Sequence, residues 1–271
     1  MDIYTQIQTF YSALQTEKRI IGKSVLGRDL YAVKIGNGYP VGLVQYAMHG
    51  REFITAKLAL AQFARGVYKG SVWFVPLVNP DGALLSQTGI ESVVNDDIRK
   101  TLLAINGSTD FSLWKANARG VDLNVNFPAR WGKGAKNVFV PSAENYVGEK
   151  PFSEPETIAL RAFTLSVKPN YTVSYHTKGE EIYWYFYQEM RYLSRDKGLA
   201  LCLEKSTGYP LWHAKNSVGG YKDWCIQALK IPAFTIEAGK DEYKHPLGED
   251  GLKDIISKNI DAIYDLSKEY V

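Results

Sequence analysis

Apolar positions in MDIYTQIQTFYSALQ recur at helical spacing and predict an amphipathic helix over residues 3–16. Two strands with glycine-containing turns follow, over 19–27 and 29–35. Residues 40–48 form an apolar strand that ends at His49-Gly50, and 52–68 return to helical spacing. The run 72–78 is short and continuously apolar, as in a strand buried on both faces. It stops at Asn79-Pro80-Asp81-Gly82, a turn signal. Residues 95–137 are polar and read as irregular. Ser153-Glu-Pro-Glu156 is a capping box with an early proline, opening a helix to about residue 166. Strands are predicted over 171–175, 182–187 and 233–236, helices over 196–207 and 221–229, and a long amphipathic helix over 251–270. Strands alternating with helices imply a mixed, mainly parallel sheet covered on both faces: an α/β fold in one domain spanning 1–271.

Composition narrows the class. Of 271 residues, 45% are hydrophobic, enough for a substantial core. The net charge of +3 is scattered, with no basic stripe, so no nucleic-acid partner is expected. No apolar stretch approaches the roughly 18 residues that span a membrane. The N-terminus lacks the basic and apolar regions of a secretion signal. A cytoplasmic protein is the expectation, or an extracellular one if a signal has been removed; the oligomeric state stays open. Cys202 and Cys225 form no C-x-x-C pair, which excludes a cysteine-rich metal site and leaves two buried thiols.

The chemistry gathers at strand ends. His49, His176 and Glu237 each follow the last residue of an apolar strand, where α/β sheets collect their functional groups. His49-Gly-Arg-Glu52 pairs an imidazole with a carboxylate at a helix start, and His176 supplies a third donor. Zinc accepts both ligand types, and catalytic sites use three protein ligands and a water. Alone, H-x-x-E is a weak signal, equally a turn histidine beside an acid that favours the helix dipole. A carboxylate ending a buried strand, such as Glu237, needs a partner or a function. Beside a metal it is placed as a general base; without one it is half of an ion pair. Arg119, in Arg119-Gly-Val-Asp-Leu-Asn124, is a candidate to stabilise an oxyanion, or else a solvated loop cation.

In order along the chain, G-R-D-L, H-G-R-E, V-N-P-D-G, R-G-V-D-L-N-x-N-F, S-Y-H, G-G-x-x-D-W and T-I-E-A-G resemble the M14 zinc carboxypeptidases. The resemblance covers nearly the whole chain. It implies an eight-stranded sheet flanked by helices and one zinc ion per chain on His49, Glu52 and His176. It makes Glu237 the base that activates water and Arg119 the group that polarises the scissile carbonyl.

Two departures bear on the substrate. The family reads D-x-N-R-N, whose Asn and Arg clamp a terminal carboxylate. Here Asn124 is kept and Val125 replaces the arginine, which removes a bidentate contact. Around Gly219-Gly220, the family's mobile tyrosine falls on Lys215 and the base of its specificity pocket on Lys222. Asn124, Lys215, Tyr221 and Lys222 are therefore the candidate substrate-binding residues, the lysines facing an anionic group on the leaving fragment or simply solvent. S-Y-H-T-K-G and F-S-E-P-E-T resemble the bacterial γ-D-glutamyl-meso-diaminopimelate peptidases most. The resemblance implies a small peptide or muropeptide substrate. Other readings are a carboxypeptidase removing acidic C-terminal residues, a zinc deacylase of the aspartoacylase type, and an inactive peptidoglycan-binding module.

Overall fold

The computed structural model describes residues 1–213 and 217–270. In chain order the helices are α1 (Ile3–Ala13), α2 (Ile54–Arg65), α3 (Pro80–Thr88), α4 (Asp96–Asn106), α5 (Pro155–Val167), α6 (Met190–Thr207), α7 (Tyr221–Trp224), α8 (Glu249–Asn259) and α9 (Ala262–Glu269). The strands are β1 (Lys18–Lys23), β2 (Asp29–Gly36), β3 (Val41–Tyr46), β4 (Ser71–Val75), β5 (Tyr171–His176), β6 (Glu181–Tyr183), β7 (Leu211–Trp212) and β8 (Ala233–Glu237). They make one sheet in the order β1-β2-β4-β3-β5-β8-β6-β7. The central ladder β4-β3-β5-β8 is parallel; β1, β2 and β6 join antiparallel to their inner neighbours. The expected α/β architecture is the one observed.

Alternation along the strands divides the core. Val44, Tyr46, Val72, Phe74, Val173 and Tyr175 face α2, α6, α8 and α9 through residues such as Leu58, Leu203, Ile255 and Leu266. Leu43, Trp73 and Val75 face the other way, toward Leu160 and Phe163 of α5 and Tyr221 and Trp224 of α7. Both faces are covered, so β4 and β5 are buried at every position, which is why they read as unbroken apolar runs.

The structure differs from the sequence reading at several elements. Asn79-Pro80-Asp81-Gly82 is a helix start: Asn79 Oδ1 accepts from Gly82 N at 2.9 Å, and Pro80 takes the first helical position. The signals of a turn and of a proline-led N-cap are the same residues. Within 95–137, α4 is capped by Asn95, which accepts from the amides of Asp97 and Ile98. The short β7 carried no periodic signal. The predicted C-terminal helix is two, α8 and α9. No helix among the described residues is long and apolar enough to cross a membrane.

Candidate metal centre and active site

The chain leaves β3 toward β4 on one side and leaves β5 toward β8 and β6 on the other. The boundary between β3 and β5 is therefore the topological switch point of the sheet, where a crevice opens at the strand ends. His49 lies three residues past β3, and His176 is the last residue of β5. Glu237 ends the adjoining β8 and is the register partner of His176. Glu52 closes a tight turn, Gly50–Glu52, immediately before α2.

These placements bring His49, Glu52 and His176 into one buried cluster whose donor atoms all lie within 4.8 Å of one another. His49 Nδ1 is 2.8 Å from Glu52 Oε1, His176 Nδ1 is 2.9 Å from Glu52 Oε2, and the two Nδ1 atoms are 3.1 Å apart. Burial disfavours ionised Glu52, yet the two imidazoles hold it well below the usual carboxylate range. Burial lowers the pKa of His49, but Glu52 and Asp122 outweigh that and the net shift is upward. Two imidazole nitrogens and a carboxylate aimed at a common point are a zinc donor set. His49 Nε2 faces Asp122 Oδ1 at 3.2 Å, the carboxylate–histidine arrangement that fixes a metal-binding ring.

Asp122 is itself fully buried and held by Lys115 Nζ at 2.9 Å and by the amides of Asn124 and Asn145. Burial opposes its ionisation, but Lys115 and His49 hold it well below the usual range. Lys115 is raised in turn: burial lowers it, and Asp122 and Glu52 prevail. The loop carrying Lys115 is bonded to the loop carrying the ligands, Gly50 N donating to Lys115 O at 3.0 Å and Arg51 N to Trp114 O at 2.8 Å. Gly50 is required there: a Cβ on it would sit 2.4 Å from Gly82 O and 2.8 Å from Trp114 O. The backbones of three segments meet under the site with no room for a side chain.

A cavity of about 720 Å³ adjoins this cluster through Asp122 and Glu237, with Arg51, Lys115, Asn124, Val125 and Lys222 also in its wall. Burial pushes the Glu237 carboxyl up to about 7; His176 pulls it down and Glu52 pushes it further up. Burial thus raises the proton affinity of Glu237 above that of an ordinary carboxylate.

The remaining sequence-predicted residues divide. Arg119 lies outside this constellation. Its side chain is 56% exposed and its guanidinium reaches Glu154 at 3.7 Å. A buried cation in the cavity wall, next to the metal cluster, is Lys115, which sequence reasoning missed. Its available signal was a lysine set between Trp114 and Ala116, both buried, in a loop otherwise read as polar. Tyr221 is also displaced from the expected role: it is fully buried, packs on Phe127 and Trp224, and its hydroxyl meets Thr164 Oγ1 at 2.9 Å. Only its backbone N–H touches the site, donating to Asn124 Oδ1 at 3.2 Å. Lys222 does reach the cavity, and it is not a free cation: its Nζ is 2.5 Å from Asp223 Oδ1 and 3.3 Å from Tyr185 O. Lys215 lies outside the described residues.

Two imidazoles and a carboxylate at the switch point of a flanked sheet, with an acid beside them, define an α/β metallohydrolase centre. Residues 3–262 match the zinc carboxypeptidase family, Peptidase M14, and the chain belongs to it. Zinc is that family's metal, and the cluster fits it. The chain is 34% identical over 269 residues to gamma-D-glutamyl-L-diamino acid endopeptidase 1 of Lysinibacillus sphaericus, covering 92% of this chain and 66% of that protein. It is 29% identical to murein peptide amidase A of Escherichia coli K12, covering 80% of this chain and 78% of the amidase. The fold superposes on bovine thrombin-activatable fibrinolysis inhibitor with a TM-score of 0.76 at 18% identity, over 99% of this chain and 96% of the other.

Proposed function

We propose that this protein hydrolyses an amide bond in cell-wall stem peptides, the one joining γ-D-glutamate to meso-diaminopimelate. The observation that carries this reading is the composition of the cavity wall. Val125 stands next to Asn124 where an arginine would clamp a C-terminal carboxylate, and Lys222, paired with Asp223, keeps one N–H of its ammonium for a ligand. The likeness to a γ-D-glutamyl-diamino acid endopeptidase and to a murein peptide amidase supports the same substrate class.

Bound zinc supplies a Lewis acid that acidifies water and polarises the scissile carbonyl. His49, Glu52 and His176 would hold it, with Asp122 fixing the His49 ring. Glu237 accepts the proton of the attacking water. The Lys115 ammonium, anchored by Asp122, faces the carbonyl oxygen as negative charge develops there. Glu237 then returns its proton to the departing nitrogen, so the diamino acid leaves as a neutral amine.

The test is incubation of the zinc-loaded protein with L-Ala-γ-D-Glu-meso-diaminopimelate, read by mass spectrometry. Free diaminopimelate is the expected product. Cleavage of ordinary peptides with acidic C-termini, and none of the muropeptide, would replace this reading by that of an acid-selective carboxypeptidase.

A further inference from the structure

Glu181 faces the same cavity and has no part in the chemistry above. It opens β6, and in the antiparallel pairing with β8 it stands directly opposite Glu237. The two acids flank Gly179: a methyl group there would lie 3.7 Å from the Glu181 carboxyl carbon and 3.8 Å from Glu237 Cβ. Tyr183 Oη donates to Glu181 Oε2 at 2.5 Å and fixes the carboxylate. Among the described residues no lysine or arginine forms an ion pair with Glu181, although cross-strand acids repel. A carboxylate so placed awaits a cation.

The order of strands says which part of a substrate supplies it. Along the sheet edge run β3 and β5 with the metal ligands, then β8 with Glu237, then β6 with Glu181. On the proposed mechanism Glu237 returns its proton to the departing nitrogen, which places the departing residue beside β8, the neighbour of β6. There it meets Glu181, which has no cationic partner among the described residues, in a cavity that also holds the Lys222–Asp223 pair. Lys222 Nζ has three protons, and two are engaged by Asp223 and Tyr185. Glu181 and the third Lys222 proton together give this wall a carboxylate and an N–H donor, the complement of a zwitterion.

Resting on the proposed muropeptide reading, we propose that Glu181 determines specificity by receiving the ammonium at the far end of the departing diamino acid. Lys222 receives the carboxylate on the same carbon. The preferred leaving residue thus carries both charges at its distal end, as meso-diaminopimelate does and lysine does not.

The experiment uses three γ-D-glutamyl substrates of the zinc-loaded enzyme that differ only in the departing residue. These are meso-diaminopimelate, 2-aminopimelate (no distal amine) and L-lysine (no distal carboxylate). A charge-assisted hydrogen bond predicts that kcat/KM for diaminopimelate exceeds that for 2-aminopimelate by roughly 10- to 100-fold. In Glu181→Gln the gap closes to about threefold or less, through a higher KM for diaminopimelate, with bound zinc unchanged. Equal turnover of diaminopimelate and 2-aminopimelate by the unmodified enzyme overturns the Glu181 assignment and leaves the proposed function standing; that comparison needs no variant. A gap that persists in Glu181→Gln also overturns the assignment. No turnover of any of the three overturns the proposed function and this assignment with it.

Discussion

Lys115 Nζ lies 2.9 Å from Asp122 Oδ2, while the other oxygen of that carboxylate faces His49 Nε2 at 3.2 Å. One buried anion joins a cation of the cavity wall to a ring of the His49–Glu52–His176 cluster. Backbone bonds to Gly50 and Arg51 hold the loop around residue 115 against the segment that carries His49 and Glu52, the basis of the catalytic role proposed for Lys115.

Removing the cation therefore acts on the developing oxyanion. Lys115→Met is expected to lower kcat by about 10²- to 10³-fold, the usual cost of losing one such donor, with a smaller change in KM. Lys115→Arg recovers part of the loss, because the charge is kept and only its geometry changes. Arg119→Ala stays within about threefold of the unaltered protein, since that guanidinium is exposed and pairs with Glu154. Steady-state kinetics with zinc content measured in parallel decides it; a large loss in Arg119→Ala and none in Lys115→Met would reverse the assignment.

The role proposed for Asp122 acts through the His49 ring. In Asp122→Asn the charge that orients His49 and raises its basicity is gone. Zinc affinity is expected to fall by about 10- to 100-fold, the usual effect of losing a partner of a metal-bound imidazole. Competition with a chromophoric chelator measures this directly. Unchanged affinity would show that Glu52 and the loop backbone hold the ring unaided.

The parts of this site that were legible in the sequence are those whose environment is local. His176 and Glu237 end strands that are buried on both faces, so an apolar run followed by one polar residue marks each. His49 and Glu52 share one strand exit. Lys115 was not legible because its role comes from contacts across 63 and 7 residues of sequence, to Glu52 and Asp122, and a lysine in a loop reads as solvated. Arg119 drew attention through the glycine after it, but Gly120, at φ 70°, turns the chain there and the Arg119 side chain lies toward Glu154. Tyr221 was misplaced because the start of α7 points one side chain into the core and the next, Lys222, into the cavity. The helix at Pro80 was hidden by the overlap between N-cap and turn chemistry.

Proton transfer through Glu237 sets the acidic limb of activity. Burial raises this carboxyl to about 7, which favours its protonated form. A bound divalent cation favours the carboxylate and moves the value down, so the limb lies below 7. The base works only when deprotonated, so kcat/KM rises with pH through that value and falls as pH drops below it. The measurement is kcat/KM against pH from 4.5 to 8 on the zinc-loaded enzyme. In Glu237→Gln turnover is lost at every pH while zinc stays bound. Retention of the limb in a variant with residual activity would assign it to another group.

Val125 carries the prediction about what the enzyme does not read. It ends the turn Leu123–Val125 beside Asn124 and faces the cavity, where the resemblance implies an arginine clamping a terminal carboxylate. A valine offers no donor, so the unaltered enzyme should cleave a substrate whose leaving residue has a free α-carboxylate and its α-amide within about threefold of each other. Val125→Arg introduces a guanidinium suited to bidentate contact. Preference for the free acid over the amide should then open to roughly 10-fold or more in kcat/KM, as expected of a charged hydrogen bond. The backbone is tight at this point: a Cβ on Gly219 would lie 3.2 Å from Val125 O. Val125→Met serves as the control of similar bulk without charge. If Val125→Met opens the same gap, packing and not charge is responsible; if Val125→Arg opens none, position 125 does not face the α-carboxylate at all.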